Sequence, residues 1–319
     1  MSAAPYLLHG TTLALAWFLM VNAAVSALVV VAADRLTNMP RAASPGFWLA
    51  LRLLPAALSI LFVGVVFVPS YWRYEPRELV EGFDLTLTTL AALALPILGA
   101  ALVRGAGAWR RAVRRADLWM RAGRPLALDG TSMAAYAIDT DAPVMALVGV
   151  LRPRLLITRP VLEALTVEEL HAGVAHELGH WRAWDNLKRL AMQSAPDLVA
   201  ATGAARAIER RWAAASEHAA DRGAGDSGAA RCALASALVK VARLTPPLAL
   251  ASEPNSAFVE GGDITSRVQR LLDDAAPARQ RPTLSWLALA IPASALAFTY
   301  TPLLRLVHGV TEILVKTLP

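Results

Sequence analysis

Four long apolar runs set the frame of this chain. Residues 11–33 hold 23 nearly uninterrupted apolar positions, enough to cross a bilayer with some tilt. A second run covers about 47–69, a third 85–103 and a fourth 284–304. Residues 1–10 carry no Lys or Arg, so the first run reads as a retained membrane helix and not as a cleaved signal. Pro55, Pro96 and Pro292 fall inside these runs, which membrane helices tolerate better than soluble ones. Arg52 lies near one end of the second run, where it is expected to snorkel, and Tyr71, Trp72 and Tyr74 form an aromatic belt at the other. Trp286 and Tyr300 sit towards the ends of the fourth, and Asn22 in the first is a candidate hydrogen bond to another helix. The pattern predicts an α-helical membrane protein with four transmembrane helices.

Between the third and fourth runs the pattern changes for about 180 residues, a full domain by size. Strand-like pieces come first, at 125–128, 133–138, 144–150 and 154–158. Thr166-Val-Glu-Glu169 is a capping box that starts a helix at Val167. Helical pattern resumes at 186–200 and again at 204–222. After Pro246 and Pro247 the chain reads as loop to Gly262, and 263–272 as a short amphipathic helix returning to the membrane. The expected organisation is three transmembrane helices in 1–104, a mainly helical α+β domain in 105–283, and a last helix with a short tail in 284–319.

Composition agrees: 56% of residues are hydrophobic and mean hydropathy is +0.44, too apolar for an ordinary soluble enzyme. The net charge of +6 does not point to nucleic acid, because the basic residues cluster beside the apolar runs and suit a lipid surface. Arg35 and Arg41 face only Asp34 in the first loop, whereas Arg73 and Arg77 are outnumbered by Glu75, Glu78, Glu81 and Asp84 in the second. Arg104, Arg110, Arg111, Arg114, Arg115, Arg121 and Arg124 follow the third run against the single Asp117. Positive charge marks the inner side, so the large domain is expected in the cytoplasm and both termini outside, in a bacterial-type inner membrane. The one cysteine, Cys232, excludes an intrachain disulfide and a cysteine metal cluster, and its Ala-rich setting suggests a small buried residue.

The chemistry enters at Ala175-His-Glu-Leu-Gly-His-Trp181. Residues four apart on a helix lie about 40° from each other, so His176 and His180 share a face and can reach one Zn²⁺, with Glu177 beside them as a base for water. Two histidines leave such a site one protein ligand short. Glu217 can supply it, and Asp221, one turn later, can take a hydrogen bond from the far nitrogen of a ligand histidine. Taken alone, the Glu217/Asp221 pair reads as a solvated acidic face; beside the histidine pair it reads as part of a zinc site. A donor for the oxyanion is also needed, for which Tyr136, His218 and Arg222 are candidates without a choice among them. The strand at 144–150 is either a substrate-aligning edge or an ordinary core strand. His171 reads as surface or packing.

His-Glu-Leu-Gly-His followed by Glu-x-x-x-Asp resembles the membrane-bound gluzincin metallopeptidases. The nearer likeness is to the beta-lactam-sensor (BlaR/MecR-like) type, through residues 151–158, 165–170, Asp185-Asn186 and 267–272, and through three helices before the domain and one after. Those receptors continue into an extracellular sensor and this chain stops at Pro319, so beta-lactam sensing is not carried over. HtpX-like heat-shock proteases and CAAX prenyl proteases share the zinc motifs with other helix placements. The resemblance implies an integral-membrane zinc metalloendopeptidase with one Zn²⁺ per chain on His176, His180 and Glu217, and Glu177 as general base. Its expected substrate is a protein or peptide, a transcriptional repressor or a membrane protein among them, in regulatory proteolysis or signalling. The alternatives are HtpX-like quality control, and a signalling receptor or pseudoenzyme scaffold, against which the intact Glu177 speaks.

Overall fold

The computed structural model describes residues 4–36, 44–76, 85–128, 133–225, 227–244, 264–273 and 286–317, with the backbone alone for Asp34 and 286–298. Much of the charged loops used for orientation, and the segments at 245–263 and 274–285, lie outside these residues. Helices α1 (Ala4–Arg35), α2 (Pro45–Leu61), α3 (Val68–Tyr74) and α4 (Leu85–Ala122) come first. A π-helical turn, Phe62–Phe67, joins α2 to α3. Pro69 has no N–H to offer the carbonyl of Val65, and the hydroxyl of Tyr300 donates to that carbonyl instead, at 2.7 Å. Ala4–Ala33, Pro45–Tyr74 and Leu85–Ala122 are each long and apolar enough to cross a membrane. Tyr300 belongs to α11 (Trp286–Thr317), which also accepts from Ser70 at its Leu304 carbonyl. The fourth apolar run, 284–304, begins outside the described residues, which leaves three candidate spans among those described.

The apolar runs also pack against the large domain. Val29 and Ala33 of α1 and Trp48 and Leu51 of α2 pack in one buried cluster with Val199, Ala205, Ile208 and Trp212 of the large domain. The third run does not end its helix at 103. Helix α4 continues as far as Ala122, so the arginine-rich stretch is helical, with Arg110, Arg111, Arg114, Arg115 and Arg121 exposed along it.

One turn of the large domain is held by three of these helices at once. The expected helix at 186–200 stops as α7 (Asp185–Ser194), because Pro196 follows, and a 3₁₀ turn, Leu198–Ala201, takes over. The carbonyls left at this break need donors. Asn22 of α1 donates to Pro196 O at 2.9 Å and accepts from Leu198 N at 3.1 Å. Arg104 of α4 reaches Gln193 O and Ala195 O. Arg52 of α2 bonds Met192 O at 2.9 Å, Asp197 at 2.7 Å and Glu209 at 3.0 Å. The snorkelling expected of Arg52 is therefore corrected: it is 1% exposed, and its partners are carboxylates of the domain. Arg52→Leu should destabilise the protein by about 3 kcal/mol, since Asp197 would keep a buried, uncompensated charge. Denaturation in detergent checks this, and a wild-type midpoint would show that the pair carries no such load.

The large domain opens with a four-stranded sheet in the order β1-β2-β4-β3. Strand β1 (Gly123–Leu126) pairs antiparallel with β2 (Ala135–Ile138), β2 parallel with β4 (Arg154–Thr158), and β4 antiparallel with β3 (Met145–Val148). Strand β3 is thus an edge strand. A short helix that the sequence pattern did not suggest, α5 (Arg159–Ala164), follows β4 directly. Helices α6 (Val167–Ala183), α8 (Gly203–Ala224), α9 (Gly228–Leu244) and α10 (Ile264–Leu272) complete the domain. Leu155, Ile157, Val161, Leu234 and Leu238 form part of the core between sheet and helices. Cys232 is exposed and not buried as expected, since it lies about 160° around α9 from the buried Leu234. Helix α10 packs on α9 and α8, and the segment expected to lead from it back to the membrane lies outside the described residues.

Candidate functional site

Helix α6 begins as the capping box requires. Glu169 N donates to Thr166 Oγ1 at 3.3 Å, and Thr166 N donates to Glu169 Oε2 at 2.8 Å. Glu169 also accepts from Ser236 and Lys240 of α9, which fixes the helix against its neighbour. Ten residues on, His176 and Glu177 are buried, and His180 is nearly so. Gly179 faces α8, where an added Cβ would meet Ala220 Cα at 3.2 Å. The glycine inside the motif thus lets the two helices approach closely enough for Glu217 and Asp221 to reach the histidines.

The side chains named from the sequence meet here. His176 Nε2 and His180 Nε2 are 3.2 Å apart. Glu217 places Oε2 3.4 Å from the first and Oε1 3.4 Å from the second. Donor atoms tetrahedral about zinc, with bonds of about 2.0–2.2 Å, stand about 3.3–3.6 Å apart. The separations are close to these, each histidine facing a different Glu217 oxygen, so the three residues could hold a zinc ion.

The far nitrogens strengthen that fit. His176 Nδ1 lies 2.9 Å from Asp221 Oδ1, as the sequence suggested, and His180 Nδ1 lies 2.7 Å from Asp185 Oδ2. His180 Nδ1 is hydrogen-bonded to Asp185, His176 Nδ1 stands at ion-pair distance from Asp221, and the two Nε2 atoms face each other and Glu217. Two ring nitrogens at this separation share either a proton or a metal between them. Asp185 reaches His180 because Trp184 adopts a left-handed conformation, φ 58°, which turns the chain sharply between α6 and α7. Non-glycine residues rarely hold this conformation, and they concentrate at functional sites.

Arg267 is the member that local sequence reasoning missed. It comes from α10, is 2% exposed, and forks onto Asp221 at 2.9 and 2.6 Å while standing 3.1 Å from Glu217. Burial alone would raise the Asp221 pKa, but the bonds from His176 and Arg267 hold it below the usual range. Burial also opposes ionisation of Glu217, and the two histidines override it, keeping that carboxyl well below its ordinary value. Burial would lower the His180 pKa; the bonds to Asp185 and Glu217 raise it to about 10.

Glu177 stands beside the histidines, and burial pushes its pKa up. The backbone at Leu147 of β3 opposes that rise. Asn186 donates to the Leu147 and Gly149 carbonyls at 3.3 and 2.7 Å. The edge strand therefore holds the site together at these residues. Tyr136, His218 and Arg222 do not line the pocket around Glu177, whereas Arg189, Trp212 and Ser216 do. His171 is exposed, as expected. A second group, Glu75, His308 and Glu312, is only half-buried, and Lys316 already pairs with Glu312 at 2.8 Å.

Comparison with known families matches residues 111–211 to Peptidase family M48, about a third of the chain. No curated protein and no solved structure matches. The match contains α6 and ends before Glu217. It supports a membrane-type zinc metallopeptidase, in agreement with the donor set.

Proposed function

We propose that this chain is an integral-membrane zinc metalloendopeptidase that hydrolyses peptide bonds of a protein substrate in regulatory proteolysis or signalling. The carrying observation is the clustering of two imidazole nitrogens and a buried carboxylate, with a second buried carboxylate, Glu177, beside them. His176, His180 and Glu217 would hold the zinc; Asp221 and Asp185 keep the two rings in the ligating tautomer. Zinc there supplies Lewis acidity, polarising the scissile carbonyl and making water acidic near neutral pH. Glu177 takes the proton of the attacking water and delivers it to the leaving amine.

A membrane setting is consistent with the polar grip described above. Beyond Asn22, Arg52 and Arg104, each of the three rods has about 20 residues left, or about 30 Å of helix, the thickness of a hydrocarbon core. We read these three residues as marking the cytoplasmic face, with the catalytic domain against it and the lipid bilayer as a standing partner.

Purified protein is expected to carry about one zinc per chain and to cleave peptides only when loaded. His180→Ala should abolish both. The metal must displace the proton that His180 retains below pH about 10. Zinc affinity should therefore rise about tenfold per pH unit through pH 7 to 9, above the range in which an ordinary histidine titrates. Chelator competition across this range measures it. Affinity flat above pH 7 would refute the shared-proton picture, and zinc-free wild type would refute the site.

A further inference from the structure

The pocket that holds Glu177 has another wall, made by Arg189 of α7 and by Trp212 and Ser216 of α8. Trp212 is 1% exposed and Ser216 5%. Neither the indole Nε1 nor the serine Oγ has a hydrogen-bond partner among the described residues. Unmade bonds at buried donors are costly, and they are tolerated where a ligand brings the acceptor. Trp212 and Ser216 are one helical turn apart, so both polar groups lie on one face of α8.

Arg189 completes this wall. Its guanidinium lies over the Trp212 ring, 5.7 Å from the centroid, and makes no hydrogen bond or ion pair among the described residues. Stacking uses the face of the guanidinium and leaves its N–H edge available. The acids lining the same pocket are Glu177, Asp185 and Glu217, and none of them pairs with Arg189. Asp185 is held by His180 at 2.7 Å and Lys188 at 3.4 Å, and Glu217 by Arg267 and the histidines. The wall therefore presents a guanidinium without an ion-pair partner among the described residues, backed by a buried indole N–H and a buried hydroxyl.

We propose that Arg189, with Trp212 and Ser216 behind it, binds a carboxylate of the peptide substrate. That carboxylate is either an Asp or Glu side chain near the scissile bond or the peptide's C-terminus. The inference rests on the peptidase reading and assigns its specificity. A planar carboxylate matches the guanidinium fork, and the two buried donors favour an acceptor-rich group over a cationic or aliphatic one.

Zinc-loaded wild-type protein is assayed on fluorogenic peptides that vary one position through Glu, Gln and Lys, each with a free and an amidated C-terminus. Acidic peptides should be cleaved with about 10- to 100-fold higher kcat/KM than their Gln counterparts, mostly through KM. If the C-terminus is the group bound, amidation should cause that loss instead. Equal values across the whole series overturn the proposal. Arg189→Gln should collapse the preference and Arg189→Lys restore part of it; a uniform fall in kcat on every peptide overturns it, since that marks transition-state stabilisation. Binding of the same peptides to zinc-loaded Glu177→Gln protein separates the two readings. If wild type cleaves nothing but this protein still prefers the acidic peptides, the peptidase reading fails and the carboxylate site stands. Binding without preference overturns the site.

Discussion

Replacing Glu177 by Gln should leave zinc in place while lowering peptide hydrolysis by a factor of about 10² to 10⁴ or more. The residue lies beside the ligands and is not one of the three converging donors, so metal content should not follow it. The substitution keeps size and a carbonyl oxygen. It removes the one property the reaction needs, a basic oxygen that takes a proton from water. Zinc analysis and turnover on the same preparation decide the matter. Cleavage at the wild-type rate would sink the general-base role, and lost zinc would mean that Glu177 belongs to the metal set.

Arg267→Met is expected to cost about 3–5 kcal/mol of stability in the metal-free protein. Arg267 is buried and serves two carboxylates at once, through the fork onto Asp221 and the contact with Glu217. Methionine fills similar space and leaves both charges without that partner. Zinc neutralises Glu217 when bound, so the loss should shrink in the loaded protein. Arg267→Lys should recover only part of the stability, because a lysine offers no planar fork. Thermal unfolding in detergent, with and without zinc, provides the comparison. A metal-free Arg267→Met protein that melts like wild type would show that α10 has no role in holding the site.

Several features follow local rules and were legible in the chain. The spacing of His176 and His180 puts them on one face of any helix, and the Thr166/Glu169 box announces where that helix begins. Strand β4 coincides with its apolar run, and β1 is displaced by two residues, as expected of boundaries set by hydrogen bonding to a neighbour. The Glu217/Asp221 pair is a spacing of the same kind, and it became interpretable once the histidines supplied its partner.

What the sequence determined by itself is therefore the part written in short periods: long apolar rods, a capped helix, two histidines and two acids each one turn apart. Only the tertiary structure decided the rest. It brought Arg267 to Asp221 across 46 residues, turned Asp185 onto His180 through a left-handed Trp184, and placed Arg189 beside two orphaned donors of another helix. It also reversed the meaning of Arg52. A charge within an apolar run looks like one that must escape from lipid, yet this one found Asp197, 145 residues away. The physical reason is common to Arg52 and Arg267. Periodicity reports which face of an element is buried, but the stability of a buried charge depends on the partner it meets, and that partner comes from a distant part of the chain.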